Sequence, residues 1–322
     1  MANSLQELVV AAVPTAISEQ RISNLRDDLN GKLEEALTGW DRPEGPLRIT
    51  KDRLRRSMTC TAQLMGGGPA ALNEHLAIGR VVDVAASVLA LAPAAPHERI
   101  ENGQQVPGTW RHAIAEPLRT EDLDLREWYE ALSAEGKRDH DETVEARCEE
   151  LKRAIGNLTE FTVISQSRTI IDLAADVVLS GRPDLVVLGP ARVIVEIKSG
   201  KGFGIDDELA FYALVDALSQ GAAPSVIVGV SLLPSTAVTP QTVNLDLLQG
   251  TADRVMQAVR RCRTVDESVA KNRWPLTSSG RHCLICDHAE RCPDIPDELL
   301  EEALLMNNHE LDDDFYNNEE EA

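Results

Sequence analysis

Residues 180–200 read SGRPDLVVLGPARVIVEIKSG, and this stretch decides how the rest of the chain is interpreted. Its two apolar runs, separated by a Gly-Pro pair, are typical of two strands joined by a tight turn. Because side chains alternate between the faces of a strand, Glu196 and Lys198 are expected to share one face of the second strand. Asp184 opens the first strand, so the hairpin is expected to bring it beside Glu196.

Two acids and a lysine at one edge of a sheet can support metal-assisted phosphodiester hydrolysis. Carboxylates are preferred ligands of hard divalent cations such as Mg²⁺ or Mn²⁺. An ammonium group next to them can orient the attacking water and stabilise charge on the scissile phosphate. The same residue types also occur by chance at strand ends, where they are only solvated. The hairpin alone leaves both interpretations open.

The sequence around the hairpin predicts an α/β core with a mixed sheet. Residues 161–179 are rich in strand-forming residues, and another strand is predicted over 225–233. A helix over 206–218 separates the hairpin from that strand, and a second helix over 246–263 follows it. Strands interrupted by a helix and followed by further strands are typical of an α/β unit.

The first half of the chain is predicted to be mainly helical. Apolar residues recur at helical spacing over 18–37, and residues 70–92 form a long, strongly apolar segment that is expected to be a buried helix. Residues 93–109 contain Pro and Gly and are expected to form a loop. Charged helical sequence returns over 121–155.

Charge is unevenly distributed along the chain. The formal net charge is −21, but residues 294–322 hold twelve acidic residues and no Lys or Arg. The remaining 41 acidic residues exceed the 32 basic ones by only nine. This balance argues against a protein that coats nucleic acid uniformly, but it allows a local basic groove. Basic groups at 53–56 and 260–263 could track DNA phosphates, or they could be solvated helix faces.

The sequence favours a cytoplasmic location. No apolar run approaches the roughly 18 residues that a membrane helix needs. The apolar run at 8–13 is short and lacks a basic leader, so no signal peptide is predicted.

Three of the six cysteines lie close together. Cys283, Cys286 and Cys292 fall within ten residues, and such clustering in a cytosolic chain suggests metal binding. A compact loop of this kind can direct several thiolates at one soft metal centre. A zinc site with His282 or His288 as a fourth ligand is an alternative, as are three cysteines without a ligand.

Several segments resemble motifs of the PD-(D/E)xK nuclease superfamily. Its acidic and Glu-x-Lys motifs are similar to residues 183–184 and 196–198. Residues 208–212, ELAFY, resemble the Gln-x-x-x-Tyr motif of the RecB-type branch. Residues 79–83, GRVVD, resemble the branch's Gly-x-x-x-His segment, and the four segments occur in the family's order. The resemblance covers about residues 47–293.

The resemblance implies a role for each matching residue. Asp83, Asp184 and Glu196 would bind Mg²⁺ or Mn²⁺, Lys198 would orient the nucleophile, and Tyr212 would position the strand. Two positions depart from the family pattern: Asp83 stands where the branch has His, and Glu208 stands in the catalytic set where the branch has Gln. An ionised Glu208 would repel phosphate, so the resemblance allows weak or regulated turnover.

The cysteines add a second resemblance, to the iron–sulfur RecB-like nucleases that include AddB-type and CRISPR-adaptation enzymes. In these relatives one early and three late cysteines bind a 4Fe-4S cluster that joins the two ends of the nuclease domain. The corresponding residues would be Cys60, Cys283, Cys286 and Cys292. The early cysteine of the relatives commonly precedes Pro and an aromatic residue, whereas Thr61 follows here.

Together these resemblances imply a restriction-endonuclease-like α/β fold: a mixed sheet flanked by helices, with an iron–sulfur staple between early and late segments. The expected divisions are a helical N-terminal extension over 1–46 and the helical part of the nuclease domain over 47–160. The α/β core and cluster loop would occupy 161–293, followed by an acidic, largely disordered tail over 294–322.

The implied function is Mg²⁺- or Mn²⁺-dependent hydrolysis of DNA, on single strands or DNA ends, in defence, repair or recombination. A helicase, ATPase or defence-complex subunit would act as a partner in trans, since no P-loop is present in this chain. One alternative is a catalytically weak or inactive DNA-binding scaffold subunit. Another is a zinc-bearing interaction module whose Glu-x-Lys is fortuitous.

Overall fold

A computed structural model of the chain describes residues 4–40, 42, 45–65, 72–91, 98–101, 104–107, 110–201 and 204–308. The helices are α1 (Leu5–Ala11), α2 (Glu19–Leu37), α3 (Lys51–Thr59), α4 (Glu74–Leu91), α5 (Glu116–Glu121), α6 (Leu123–Ala131), α7 (Ala134–Ile155), α8 (Ile205–Gln220), α9 (Leu245–Ala270) and α10 (Asp297–Asn308). The strands are β1 (Leu47–Thr50), β2 (Glu98–Glu101), β3 (Gln104–Pro107), β4 (Thr162–Ser165), β5 (Thr169–Leu173), β6 (Val177–Gly181), β7 (Leu185–Leu188), β8 (Arg192–Lys201), β9 (Val226–Leu233) and β10 (Ala237–Thr242).

The central sheet is mixed and has the strand order β10-β9-β8-β7-β4. Strand β8 pairs antiparallel with β7 and parallel with β9, and helix α8 makes the crossover between β8 and β9. A smaller sheet has the order β1-β6-β5, and the chain passes from it to the central sheet at residues 182–184. The α/β fold with a mixed sheet flanked by helices, predicted from the sequence, is confirmed.

Alternation along β8 directs its side chains into two cores. Val195 and Ile197 lie in a core with residues of α4 and α7, whereas Ile194 lies in a core with residues of α8 and α9. Glu196 is two residues after Ile194 and therefore lies on the same face of the strand, which is the face toward α8. Each fully buried aliphatic side chain contributes about 1.5–3 kcal/mol to folding, and both faces of the strand are therefore firmly held.

The N-terminal residues take part in these cores. Helix α1 contributes Leu5 and Val9 to the core of α4 and α7. Helix α2 places its buried residues, among them Leu29, in the core that holds α8 and α9. The segment expected to be an extension, 1–46, therefore packs as an integral part of the fold over the residues that the structure describes.

Two segments differ from the sequence prediction. Within the expected loop at 93–109, β2 and β3 pair as antiparallel strands, because β-branched residues such as Ile100 and Val106 favour extended backbone. The helix α10, near the start of the acidic segment 294–322, was not predicted from the sequence. Ala303 of α10 packs with Leu284 and Ala289 of the cysteine loop, residues 283–292. This apolar contact stabilises the helix. The residues after 308 lie outside the described part of the chain.

None of the helices in the described ranges combines the length and the apolar character that crossing a membrane requires.

Candidate active site

Strand β8 carries Glu196 and Lys198 on one face, at the edge of the core beneath α8. Glu196 is only 2% exposed, and its Oε1 accepts a hydrogen bond from Lys198 Nζ at 2.9 Å. The pairing of β8 with β9 becomes irregular between Lys198 and Lys201, which ends the regular sheet at this point. The two motif residues therefore lie near the point where regular pairing of β8 with β9 ends, and they share one face of the strand as the hairpin pattern predicted.

Asp184 lies in the short crossing between the two sheets. Its Oδ2 accepts a hydrogen bond of 2.6 Å from the backbone N–H of Ile197, and its carbonyl oxygen accepts one of 2.9 Å from Gln166. The first bond fixes the carboxylate against β8, next to Glu196. The predicted proximity of the two acids is thus present, and a backbone hydrogen bond holds it in place.

Helix α4 brings a third carboxylate, that of Asp83, to the same place. Burial, together with the nearby Glu196 charge, raises the pKa of Asp83 to about 6. Burial and the Asp83 charge likewise raise the pKa of Asp184 to about 6. Burial and Asp184 raise the pKa of Glu196 to about 7, although two lysines oppose this rise. The three acids therefore converge closely enough to hinder one another's ionisation.

Helix α8 supplies Glu208 and Tyr212 from its buried face. Glu208 Oε2 accepts a hydrogen bond of 2.6 Å from Lys198 Nζ. Burial opposes ionisation of Glu208, but the lysine charges outweigh it and lower its pKa to about 2. Tyr212 is 3% exposed, and burial is the main reason that its pKa is raised. Glu208 is therefore an ionised carboxylate beside the motif lysine, in the position where the resemblance implies a neutral amide.

Lys51 is a further cation in this site, and sequence reasoning missed it. Its Nζ lies 2.8 Å from Glu196 Oε1 and 2.9 Å from Glu208 Oε2, the same two oxygens that Lys198 contacts. It also lies 5.5 Å from the ring centroid of Tyr212. Lys51 is 145 residues before Glu196, so no local spacing could have indicated the contact. It directly follows Thr50, whose side chain caps α3, and this local feature does not indicate a role in a site.

The donor set suits a hard divalent cation. The carboxylates of Asp83, Asp184 and Glu196 lie close enough to raise one another's pKa, and Glu196 Oε2 is buried without a hydrogen-bond partner. Such an orphaned buried oxygen costs free energy unless a cation or donor reaches it. As the side chains stand, no group of three His, Cys, Asp or Glu within the described ranges has donors already set around a metal position.

The four cysteines predicted to act together are brought into one region. Burial raises the pKa of the Cys283 thiol, and the neighbouring thiols of Cys292 and Cys60 add to the rise. The pKa of Cys286 is raised by burial and by the thiols of Cys283, Cys60 and Cys292. The thiols are therefore close, although for them too no set of three described ligands already surrounds a metal position.

Hydrogen bonds from side-chain hydroxyls to backbone carbonyls hold the early and late cysteine segments together. Thr61, next to Cys60, donates its hydroxyl proton to the carbonyl oxygen of Leu276. Ser278 Oγ donates to the carbonyl oxygen of Thr59 at 2.8 Å. The two segments thus meet through hydrogen bonds as well as through the proximity of their thiols.

Both histidines that were considered as alternative ligands lie near the late cysteines. His282 Nε2 is 3.7 Å from Cys283 Sγ and 2.9 Å from the carbonyl oxygen of Ser278. His288 is buried, and its Nε2 has no hydrogen-bond partner. The donor chemistry of this region therefore fits a soft metal centre with either four thiolates or a mixture of thiolates and imidazole.

The comparisons with known proteins identify the family. A family model of the PD-(D/E)XK nuclease superfamily matches residues 85–293, which is more than half of the chain. The chain belongs to the PD-(D/E)XK nuclease superfamily. The resemblance to this superfamily, seen in the sequence motifs, is confirmed, and nuclease activity is what the superfamily implies.

The other comparisons add little to the assignment of this nuclease. Among solved structures, one described as the crystal structure of SSO0001 is similar at 14% sequence identity, covering 82% of this chain and 93% of that one. Its TM-score is only 0.31, so the likeness has no bearing on fold or function. No curated protein matches the chain.

Three residues of interest lie outside the segment that the nuclease family model matches. They are Lys51, Cys60 and Asp83, all of which precede residue 85. The match therefore spans the hairpin, α8 and the late cysteines, but it gives no support to these earlier positions. Membership of the RecB-like iron–sulfur branch stays a prediction.

The basic groups considered for DNA contact are partly engaged within the nuclease itself. Arg261 Nη1 donates to the carbonyl oxygen of Ser57, and Arg263 Nη1 donates to that of Ala36 at 2.8 Å. Arg53 Nη1 donates to the carbonyl oxygen of Arg48 at 3.3 Å. These arginines join α9 and α3 to their neighbours, so part of their hydrogen-bonding capacity is used within the chain.

Proposed function

We propose that this chain is a metal-dependent nuclease that hydrolyses phosphodiester bonds of DNA, with single strands or DNA ends as substrate. The observation that carries the proposal is the surroundings of Glu196. One of its oxygens is held by two lysines, and the other is buried without a partner beside Asp83 and Asp184. A carboxylate in this position is prepared to bind a divalent cation.

Each residue has a role that follows from its position. Asp83, Asp184 and Glu196 would hold Mg²⁺ or Mn²⁺, and the bound cation would polarise the scissile phosphate. Lys198 would orient the attacking water and stabilise charge on the phosphate oxygens. Tyr212, on the buried face of α8, would help to position the DNA strand.

Cleavage assays on labelled single-stranded DNA, duplex DNA and RNA, with Mg²⁺, Mn²⁺ or EDTA, test this function. We expect cation-dependent cleavage of DNA that is lost in Asp184→Asn and Lys198→Ala. Asp172→Asn, at an exposed acid on the neighbouring sheet, is the matched control and should retain activity. Cleavage that survives both active-site substitutions would place the chemistry elsewhere.

A second candidate function is a DNA-binding scaffold subunit with little or no cleavage. The ionised Glu208 favours it, because a carboxylate beside Lys198 weakens the attraction of that lysine for phosphate. Asp83, in place of the branch's His, also changes the charge of the site. Stoichiometric DNA binding without cleavage under any divalent cation would favour this function over the first.

We infer that Cys60, Cys283, Cys286 and Cys292 hold a 4Fe-4S cluster that staples early and late segments of the nuclease domain. The proximity of the four thiols supports this assignment. The buried, unpartnered Nε2 of His288 favours the competing assignment, a zinc site with mixed ligands. The iron–sulfur cluster would link the cysteine loop to the segment after α3, whereas a zinc site of three late cysteines and a histidine would lie within residues 282–292.

Metal analysis of anaerobically purified protein separates the two centres. We expect about four irons and four sulfides per chain, with visible absorbance typical of thiolate-bound iron. Replacing Cys60 by Ala should lower iron content and stability together. One equivalent of zinc without iron, lost in His288→Ala, would establish the zinc site instead.

We further propose that the nuclease belongs to the RecB-like branch and acts in the cytoplasm in defence, repair or recombination. A helicase, an ATPase or a defence-complex subunit would then supply the motor in trans. Co-purification of the tagged chain with a nucleotide-hydrolysing subunit tests this proposal. A chain that is purified alone and cleaves DNA without ATP would argue against a motor partner.

A further inference from the structure

The site contains a closed ring of alternating charges. Lys51 and Lys198 each contact Glu196 Oε1 and Glu208 Oε2, at distances between 2.6 and 2.9 Å. Both carboxylates are nearly buried, with side-chain exposures of 3% and 9%. Each carboxylate is thus shared by two ammonium groups. Removing one lysine would leave both carboxylates in contact with the other lysine alone.

The backbone of Lys51 is fixed at the junction of a strand and a helix. Lys51 is the first residue of α3, directly after β1, which pairs in parallel with β6. Thr50 caps the helix, with its side chain accepting a hydrogen bond from Arg53 N. The backbone of Lys51 is therefore already fixed by the paired strand and the capped helix, and only its side chain has to become ordered when it binds the acids.

Counting charges explains why a second lysine is present. The acids Asp83, Asp184, Glu196 and Glu208 carry four negative charges when ionised, and the two lysines carry two positive ones. One divalent cation would then make the site neutral. Without Lys51, Lys198 alone would have to balance the charges of Glu196 and Glu208, and less of that lysine's charge would remain for the substrate phosphate.

We propose that Lys51 is a positioning residue of the nuclease site: it neutralises Glu208 and steadies Glu196 Oε1, which leaves Lys198 available to the scissile phosphate. The inference rests on the proposed nuclease function. It also links two features of this chain, because Lys51 compensates for the acid at 208. A neutral Gln at 208 would make Lys51 dispensable.

A mutant cycle with Lys51→Met, Glu208→Gln and the double variant tests the proposal. In Lys51→Met, cleavage should fall by about tenfold or more, because two nearly buried carboxylates are left with Lys198 as their shared cation. In the double variant the charge balance is restored, so cleavage should recover to near the wild-type rate. Lys51→Arg should recover part of the activity, and Lys32→Met, at an exposed lysine on α2, is the matched control.

Mn²⁺ affinity, measured from the signal of free Mn²⁺ by electron paramagnetic resonance, gives a readout that is independent of cleavage. Removing the Lys51 charge beside Glu196 should tighten Mn²⁺ binding, whereas Glu208→Gln should weaken it and the double variant should resemble the wild type. Misfolding would weaken Mn²⁺ binding and also slow cleavage. Tighter Mn²⁺ binding together with slower cleavage therefore cannot come from misfolding.

The outcomes separate the inference from the function on which it rests. If the wild type cleaves nothing, the nuclease proposal fails, but opposite shifts in Mn²⁺ affinity still support the role of Lys51. If the wild type cleaves and Lys51→Met is equally active, or the double variant is no better than Lys51→Met, the inference is overturned. Unchanged Mn²⁺ affinity in Lys51→Met also overturns it.

Discussion

At the scale of single residues, Glu196 has two carboxylate oxygens with opposite surroundings. Oε1 accepts from two lysines, while Oε2 is buried and unpaired. Replacing Glu196 by Gln keeps the volume but removes the charge that a cation needs. We expect Mn²⁺ affinity to fall by about tenfold or more and cleavage to be lost, because a metal ligand is removed. Isothermal titration with Mn²⁺ measures the first effect, and Asp172→Asn is the control.

The prediction would be contradicted by a Glu196→Gln protein that binds Mn²⁺ as tightly as the wild type. In that case the cation would be held by Asp83 and Asp184 alone, and Glu196 would serve only to hold the two lysines.

How far the sequence could predict the site depends on distance along the chain. Glu196 and Lys198 were placed on one face by the period of a strand, and the structure has them there. Glu208 lies ten residues beyond Lys198, and it was identified by the resemblance of residues 208–212 to the Gln-x-x-x-Tyr motif, not by the period of a strand. Lys51 is brought to the site by the packing of β1 against β6, and tertiary pairing of this kind leaves no periodic signal in the sequence.

At the scale of elements, the contact between β6 and α8 limits what can occupy the end of the strand. A Cβ atom on Gly181 would lie 2.9 Å from Tyr212 Cδ1, closer than such atoms normally approach. Gly181→Ala should therefore displace the Tyr212 ring, destabilise the protein by about 1–3 kcal/mol and reduce cleavage. Chemical denaturation with a parallel activity assay measures both effects.

Gly250→Ala is the control for that substitution. Gly250 lies inside α9 with nothing within 4 Å of a new Cβ atom. There the added methyl group should stabilise the helix by up to about 1 kcal/mol. Two alanine substitutions with opposite effects on stability would show that contact with Tyr212, and not the loss of glycine, causes the first result. Equal effects would contradict this explanation.

Helix α7 contains a buried histidine that makes folding sensitive to acid. His140 is 1% exposed, neither ring nitrogen has a hydrogen-bond partner, and its ring packs edge-on against Trp128 and Tyr129. Burial is the main reason that its pKa is lowered to about 4. Between about pH 6.5 and pH 4 the unfolded chain therefore binds a proton that the folded chain does not, and stability is lost as pH falls.

From pH 7 to pH 5 this histidine should cost about 2 kcal/mol of unfolding free energy. Replacing His140 by Leu removes the proton-binding group, so the variant should lose less stability than the wild type over this interval. Urea denaturation of both proteins at the two pH values gives the comparison. Parallel losses would show that the acid sensitivity arises from other groups.

At the scale of the whole molecule, the predicted order of strands and helices was sound from residue 161 onwards, because short apolar runs and turns mark each element there. The first half was harder to divide. Helix α2 was predicted from the spacing of its apolar residues. Its packing against α8 and α9 could not be predicted, because that spacing shows which face is buried but not which helices cover it. Similarly, α10 depends on its contact with the cysteine loop, which the abundance of acidic residues concealed.

The parallel pairing of β1 with β6 has a consequence for protein production. A recombinant fragment cut to the family match, 85–293, would lack β1 and leave one edge of β6 without hydrogen-bond partners. Every residue of β6 is buried in the intact chain, and an exposed apolar edge invites intermolecular strand addition. We expect that fragment to aggregate, as followed by light scattering, while a fragment beginning at residue 4 stays monodisperse. Motif boundaries and folding boundaries are thus different quantities in this nuclease.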